Sequence, residues 1–438
     1  MSHLMSVAKQ TGFVKRMPRK INPRQYIDML LFSDFNNAEV SLNDHSIKLN
    51  LEHKISIRKQ SLNERFNTNS VEFIKTLLSE QIKMQMNETI DVDILKLFTS
   101  VKIKDSTRFQ LPPNLKEDYP GCGGGASEAG MHIQFEFDVK SGQVSEVKVG
   151  DALQQDVTNG QQTIEQIQGG SLIIRDLGYF STAVLQAIEE KDAHYISRLQ
   201  PKVKMFELKG TEYHELDLKK EYRKMKRCKI PRQEKMVYIG GKTKLFTRIV
   251  IELLPEAVVE NRIRKASRET TKKGRQLSKE YIMYASFNLF ITNVSEQILN
   301  TQQVHLLYQL RWQIELRFKC WKSLCEIQKI KKMKKDRFET YLYARLLYIL
   351  INWKIAVSLN NLWFKENGRL LSIYKCFKAI MLSAGKLREA LFNMKKYLHN
   401  YLQSLYDLCR NNLVLEKRKN HLSFEEILLL IPETSEVL

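Results

Sequence analysis

Met131–Val149 reads MHIQFEFDVKSGQVSEVKV, and this stretch decides the fold class. Met131, Ile133, Phe135, Phe137 and Val139 alternate with polar residues, the period of a strand with one covered face. Ser141-Gly142 turns the chain into Val144–Val149, so the stretch reads as a hairpin. Upstream, Val101 and Ile103 alternate in the same way and run into Asp105. Downstream, Ser171–Arg175 is a short apolar strand that runs into Asp176. Gly178 follows, then a helix through Glu190, and Tyr195–Leu199 reads as another strand. This β-β-β-α-β-α-β order implies a mixed sheet flanked by helices, an α/β (α+β) chain.

Residues 1–20 are basic and polar and read as a loose arm. From Pro23 to about Lys96 the pattern is helical: Ile27, Leu30, Leu31 and Phe35 keep helical spacing, as do Val71, Ile74, Leu77, Leu78 and Ile82. Between them, Ile55–Phe66 (ISIRKQSLNERF) offers Ser61 and Asn63 as caps and Arg58, Lys59 and Arg65 as phosphate contacts. That segment fits a helix-turn-helix-like DNA reader, and fits equally a small helical bundle with a solvated basic face. Residues 201–294 are rich in Lys and Arg, with strand-like pieces at Met236–Ile239, Thr247–Leu253 and Tyr284–Thr292, a β-rich insertion. Thr301–Lys335 reads as one long helix. From Phe338 onward the pattern is helical, with breaks at Asn367-Gly368 and Asn411-Asn412.

The 438 residues suffice for about two to four domains. Hydrophobic residues make up 43 %, which excludes a disordered chain. Lys and Arg number 70 against 49 acidic residues, a net charge of +21 that attracts polyanions, nucleic acid first among them. Cysteines at 122, 228, 320, 325, 376 and 409 form no CxxC pair and no zinc spacing, so free thiols in a reducing cytosol are expected. Met1–Lys20 lacks a signal-peptide core. Phe338–Phe364 is the greasiest stretch, but Arg345, Lys354, Asn352, Asn360 and Asn361 mark it as a buried helix rather than a membrane span. Gly121–Gly125 (GCGGG) lacks the Lys-Ser/Thr of a phosphate loop and reads as a flexible loop entering the hairpin near DNA.

Tyr308–Lys322 (YQLRWQIELRFKCWK) carries the strongest chemical signal. At about 100° per residue, Tyr308, Arg311, Glu315 and Lys322 share an arc of about 60° on a continuous helix. Leu307, Leu310, Ile314, Phe318 and Trp321 form an apolar stripe beside it. A carboxylate among Arg, Lys and Tyr suits a metal ligand amid phosphate contacts. By itself the same stripe also fits an amphipathic edge with Arg311 and Glu315 paired.

Tyr, two residues, Arg, three residues, Glu, six residues, Lys is the YREK signature, complete here at Tyr308, Arg311, Glu315 and Lys322. In this the chain resembles the insertion-sequence DDE transposases of family four. Asp105 in KIKDST and Asp176 in IIRDLGYF, each at the end of a strand, match the family's two aspartates. Asp91, Asp93 and Asp192 lack the apolar strand leading in. The β-rich insertion and the helical N-terminal region are family traits too, so the resemblance covers nearly the whole chain.

The resemblance implies a helical DNA-binding domain at 1–95 and an RNase H-like catalytic core split between 96–200 and 295–345. The insertion at 201–294 interrupts that core, and a helical region at 346–438 is open to an oligomerisation role. It also implies that Asp105, Asp176 and Glu315 are catalytic and bind two Mg²⁺ ions, with Mn²⁺ able to substitute. Tyr308, Arg311 and Lys322 would hold the phosphates of the element's ends. The implied partners are double-stranded DNA with terminal inverted repeats, target DNA and a second copy of the chain in a synaptic complex. No membrane is implied, and the location is cytoplasmic, at the nucleoid. Family members commonly excise through a DNA hairpin and stack a flipped base on an aromatic of the insertion, for which Phe287 and Phe290 are the candidates. Arg317, Lys319, Lys322, Lys329, Lys331, Lys332, Lys334, Lys335 and Arg337, facing only Glu326 and Asp336, extend the basic character as a DNA-backbone track.

Overall fold

Alternating apolar residues build most strands where the sequence expects them. The computed structural model describes residues 2–16, 20–32, 41–86, 89–90, 92–123, 127–241, 243–272, 274–392 and 395–416. The strands are β1 (Val101–Leu111), β2 (Ala129–Asp138), β3 (Val144–Asp151), β4 (Leu172–Arg175), β5 (His194–Arg198), β6 (Met205–Lys209), β7 (Glu212–Glu215), β8 (Arg232–Ile239), β9 (Leu245–Leu253) and β10 (Phe287–Thr292). Before the sheet come α1 (Ser2–Gln10), α2 (Pro23–Leu31), α3 (Leu42–His53), α4 (Lys59–Asn63), α5 (Thr68–Lys83) and α6 (Asp93–Lys96). Among the strands lie α7 (Asp156–Gln162), α8 (Thr182–Glu189), α9 (Leu218–Cys228), α10 (Glu256–Lys272) and α11 (Lys279–Ala285). Beyond them come α12 (Thr301–Gln309), α13 (Trp312–Ser323), α14 (Lys335–Asn367), α15 (Ile373–Leu382), α16 (Ala384–Phe392) and α17 (Lys395–Leu408). The described residues divide into two compact units, one from 2–90, 105–154 and 313–416, the other from 92–104 and 155–312.

In the first unit the strand order is β3-β2-β1. The hairpin expected from Met131–Val149 forms, with Phe137 opposite Val144 and Met131 opposite Asp151. Gly142 takes φ +71°, the left-handed conformation a glycine adopts without strain, and Asp138 accepts hydrogen bonds from the amides of Lys140 and Ser141. Phe135 meets Trp321 edge-on at 4.8 Å, and Phe137 meets Trp353 at 5.0 Å, so β2 packs on α13 and α14. By length and composition α14 could cross a membrane. Two-thirds of its apolar window (67 %) is buried, and α2 and α5 pack along it, which makes it the core helix expected from the sequence. Gly368 at φ +62° ends it, at the expected Asn367-Gly368 break.

The N-terminal residues differ from the expected loose arm. Ser2–Gln10 is a helix that buries Val7 and Ala8, and Phe13 stacks on Phe73 at 4.9 Å. Ser61 and Asn63 cap nothing: they lie inside the one-turn α4, whereas Ser41 and Asn67 cap α3 and α5. Phe35, counted in the first helical stripe, lies outside the described residues, as does 124–126 of the glycine run. All six cysteines are free thiols.

In the second unit the order is β1-β4-β5-β10-β9-β8-β6-β7. Val101–Lys104 of β1 pair in parallel with Leu172–Arg175, and β4 pairs in parallel with β5. Every residue of β4 is buried, as expected of a parallel strand covered on both faces. The orders β3-β2-β1 and β1-β4-β5 about a shared β1 are those of an RNase H-like core. Residues 201–294 carry α9, α10 and α11 as well as strands. Their strands continue the sheet through antiparallel β10, β9 and β8, and Met225 and Val237 share one apolar cluster with Ile173 and Tyr195.

The long helix expected over Thr301–Lys335 is interrupted twice. Leu310 and Arg311 close i→i−3 bonds to Leu307 and Tyr308, a tight turn that separates α12 from α13. Residues 324–334 are not helical, and Glu326 sits at φ +45°. No proline or glycine marks either break.

Candidate active site

Two buried cations stand immediately before the two aspartates. Lys104 and Arg175 are the last register partners of β1 and β4, and Asp105 and Asp176 are the residues that follow them. Because successive strand residues face opposite ways, Asp105 takes the face of β1 opposite to that of Lys104. On the inner face Lys104 Nζ and Arg175 Nη2 both donate to Thr163 Oγ1, at 3.2 and 3.3 Å, and Arg175 Nη1 donates to the Gly160 carbonyl at 3.3 Å. Sequence reasoning missed this group; its signal was a basic residue at the inward position of two apolar strands.

In the second unit Asp176 is half-buried and meets Arg311 Nε at 3.5 Å. Tyr308 is buried beside them, its ring 5.2 Å from that of Phe290. Burial pushes its phenol up to about 12, with the positive charge of Arg311 opposing and Asp176 reinforcing the shift. The phenol is therefore a neutral group near neutral pH. Asp176, Tyr308 and Arg311 thus form one constellation, carried by the end of β4, the end of α12 and the turn after it.

Asp105, Glu315 and Lys322 belong to the first unit. Asp105 is half-buried and its Oδ1 accepts the Ser106 amide at 2.7 Å. Glu315 and Lys322 are seven residues apart on α13, within about 20° of one another around its axis. Lys322 Nζ donates to the Arg108 carbonyl at 3.3 Å, and burial lowers its pKa. Lys319 is exposed. The single helical face drawn through Tyr308, Arg311, Glu315 and Lys322 is corrected: the turn at Leu310-Arg311 separates the first two residues from the last two.

The basic track is also revised. Arg317 lies 5.1 Å over the Trp353 ring, and burial pulls its guanidinium down to about 10. Arg337 donates to Asn63 Oδ1 at 3.4 Å, and Lys335 pairs with Asp118 at 2.6 Å. Lys329, Lys331, Lys332 and Lys334 are exposed on the 324–334 segment. Near the N-terminus Arg58 and Lys59 are exposed and Arg65 is half-buried.

Phe287 and Phe290 do not suit base stacking. Both are buried in β10, with Phe287 against Tyr222 at 6.1 Å and Phe290 against His305 and Tyr308. A base would reach either ring only by opening the sheet.

Asp28, Glu52 and His53 are close enough together to hold a metal ion. Arg388 already grips Asp28, with Nε on Oδ1 and Nη2 on Oδ2 at 2.6 Å each. His53 Nε2 lies 2.7 Å from Oδ2, and Glu52 takes Arg388 Nη2 at 2.9 Å. A bidentate guanidinium competes directly with a cation, so this group ties α2, α3 and α16 together.

The Transposase DDE domain family matches residues 96–351, a span that includes Asp105, Asp176 and Glu315. The transposase for insertion sequence element IS231B of Bacillus thuringiensis subsp. berliner is 34 % identical, over 96 % of this chain and 90 % of that protein. Its IS231D counterpart from subsp. finitimus is 33 % identical over the same shares. The transposase for insertion sequence element IS1151 of Clostridium perfringens is 28 % identical, over 100 % of this chain and 95 % of that protein. The chain belongs to the DDE transposases of insertion sequences.

Proposed function

We propose that Asp105, Asp176 and Glu315 are the catalytic carboxylates of this transposase, and that they hold two Mg²⁺ ions to cut and rejoin DNA at the ends of the chain's own element. The observation that carries the reading is the register of β1 and β4, which brings Lys104 opposite Arg175, each followed in sequence by an aspartate. Asp, Asp and Glu form a hard oxygen donor set, the kind Mg²⁺ accepts alongside water and phosphate, and Mn²⁺ fits it too. Bound there, divalent ions supply Lewis-acid activation of the attacking oxygen and stabilise the leaving one.

The chain's own groups do the positioning. Arg311, beside Asp176, presents a planar fork to a phosphate. The neutral phenol of Tyr308 buttresses that pair from its buried seat. Lys322 adds a point charge on the same side of α13 as Glu315. The matching Tyr-Arg-Glu-Lys spacing and these roles support membership of the YREK group, family four. Its partners are duplex DNA bearing terminal inverted repeats, target DNA and a second copy of the chain in the synaptic complex. Its place is the nucleoid in the cytoplasm.

An assay with Mg²⁺ on DNA containing the element's ends tests the reading. Cleavage with joining supports it. Cleavage alone makes the chain an RNase H-like nuclease, and neither activity leaves a DNA-binding protein. Asp105→Ala, Asp176→Ala and Glu315→Ala should each abolish cleavage and retain end binding; an active variant removes its residue from the triad.

A further inference from the structure

We propose that α9 is a contact for the backbone of duplex DNA on the second unit, additional to the phosphate contacts assigned above. The proposal rests on the transposase reading for the identity of its partner. Helix α9 reads LKKEYRKMKRC. At about 100° per residue, Lys219, Lys220, Arg223, Lys224, Lys226 and Arg227 fall within an arc of about 160°. Leu218, Glu221, Tyr222 and Met225 take the remaining side. The burial divides along the same line: Glu221 and Met225 are buried, Leu218 and Tyr222 are half-buried, and all six basic residues are exposed. Lys229, just past the helix end at φ 53°, is exposed as well.

Acidic groups that could neutralise this face are directed elsewhere. Glu221 Oε1 accepts from Lys235 Nζ at 2.7 Å and its Oε2 from Gln233 Nε2 at 2.6 Å, so its charge serves β8. Asp217 caps the helix, accepting from the amides of Lys219 and Lys220. Among the described residues the face makes one ion pair, Lys226 with Glu256 at 3.0 Å. Lys219 with Arg223, Lys220 with Lys224, and Arg223 with Arg227 are like-charge pairs at i,i+4, each unfavourable to an isolated helix. A polyanion laid along about 12 Å of axis relieves that repulsion.

The chemistry of the face selects duplex DNA. Single-strand sites interleave aromatics with cations, and the nearest aromatic, Tyr222, turns inward to within 6.1 Å of Phe287. A membrane-surface helix exposes apolar side chains opposite its basic ones, and here Met225 is buried and Leu218 and Tyr222 are half-buried. Charges in two columns with no base-reading geometry suit phosphates, which position DNA without reading it.

The test measures fluorescence anisotropy of the full chain on two duplexes, one of random sequence and one carrying the element's ends, across a salt series. The variant combines Lys220→Ala, Arg223→Ala, Lys224→Ala and Arg227→Ala. The control combines Lys378→Ala, Lys386→Ala, Lys396→Ala and Arg410→Ala, four cations exposed elsewhere. The α9 variant should lose about tenfold or more in affinity for both duplexes, and its log K against log salt slope should shrink by about 3. The control should shrink it by less than about 1. A slope in the α9 variant equal to that of the wild type or the control overturns the proposal, as does stronger competition by polyglutamate than by duplex at equal charge. If the fourfold variant fails to fold, Lys220→Gln with Lys224→Gln should shrink the slope by about half as much, and no change overturns the proposal. Mg²⁺-dependent cleavage is read separately. Wild-type cleavage with an unaltered variant slope overturns the α9 contact alone, whereas a lost slope without wild-type cleavage upholds it and overturns the transposase reading.

Discussion

Lys104 and Arg175 face each other across the parallel pair β1–β4 and donate to one hydroxyl, Thr163 Oγ1, at 3.2 and 3.3 Å. Two cations buried side by side need such acceptors, because each lost one leaves a charged donor out of water. Thr163→Val keeps the shape of the side chain and removes the acceptor. It should cost about 1–3 kcal/mol, read as a lower denaturant midpoint with the slope unchanged. An unaltered midpoint would show that the other acceptors suffice.

Arg311 offers the second test. Its Nε lies 3.5 Å from Asp176, and its planar guanidinium has the geometry for bidentate contact with a phosphate. Arg311→Lys conserves charge but loses the plane. Cleavage of pre-nicked end DNA should fall by about tenfold or more while end binding changes by less than about threefold. Equal rates would reduce Arg311 to a partner of Asp176.

How much of this was legible in the sequence depends on the range of the interaction. Period-two alternation wrote the Met131–Val149 hairpin, because a strand's pattern is local and Gly142 fixes its turn. Asp105 and Asp176 were singled out by resemblance to the family; Asp176 follows the end of β4 as expected, whereas β1 runs on past Asp105 to Leu111. The break at Leu310-Arg311 was not legible: no proline or glycine marks it, and apolar spacing continues across it. Phe287 and Phe290 looked like candidates for stacking because sequence gives residue type, whereas burial depends on the pairing of β9 with β10 and on the packing of α12 against β10. Lys104 and Arg175 went unnoticed because the acceptor they share lies 59 and 12 residues away.

Glu252 makes the second unit acid-sensitive. Burial alone would raise its pKa. Hydrogen bonds from His305 and Asn288, the charge of His305 and the fork of Arg232 outweigh burial and hold the carboxyl at about 2. A depressed carboxylate contributes stability above its unfolded pKa, near 4.5, and loses it as pH falls toward 2. The contribution is roughly 3 kcal/mol at neutral pH. Glu252→Gln should lower stability at pH 7 and flatten the dependence between pH 4.5 and 2. A variant with the wild-type slope over that window would mean that other carboxylates carry it.

Near the N-terminus point substitutions are the informative probe. Removing residues 1–95 would uncover α14, since α5 packs along it and Ser70 Oγ meets Thr340 Oγ1 at 2.9 Å in the core. Arg58→Ala with Lys59→Ala alters only exposed groups. If both meet phosphates, affinity should fall equally for end and random DNA, and the salt slope should shrink by about 2. A loss confined to end DNA would make this segment a base reader instead.

Lys319 and Lys322 separate electrostatic attraction from positioning on one helix. Lys319 is exposed, so its charge is screened and acts at a distance. Lys322 is half-buried, donates to the Arg108 carbonyl at 3.3 Å, and shares the side of α13 that carries Glu315. Burial lowers its pKa from the usual lysine value. Lys319→Ala should therefore weaken binding in a salt-dependent way and leave the rate of joining at saturating DNA within about twofold. If Lys322 meets the cleaved end as proposed, Lys322→Ala should slow joining by about tenfold or more even when DNA saturates, because it removes a charge held at a fixed place. Joining rates on pre-cleaved ends at two salt concentrations decide the matter. If both variants recover fully at low salt, Lys322 acts only through attraction and the Tyr-Arg-Glu-Lys assignment loses its last member.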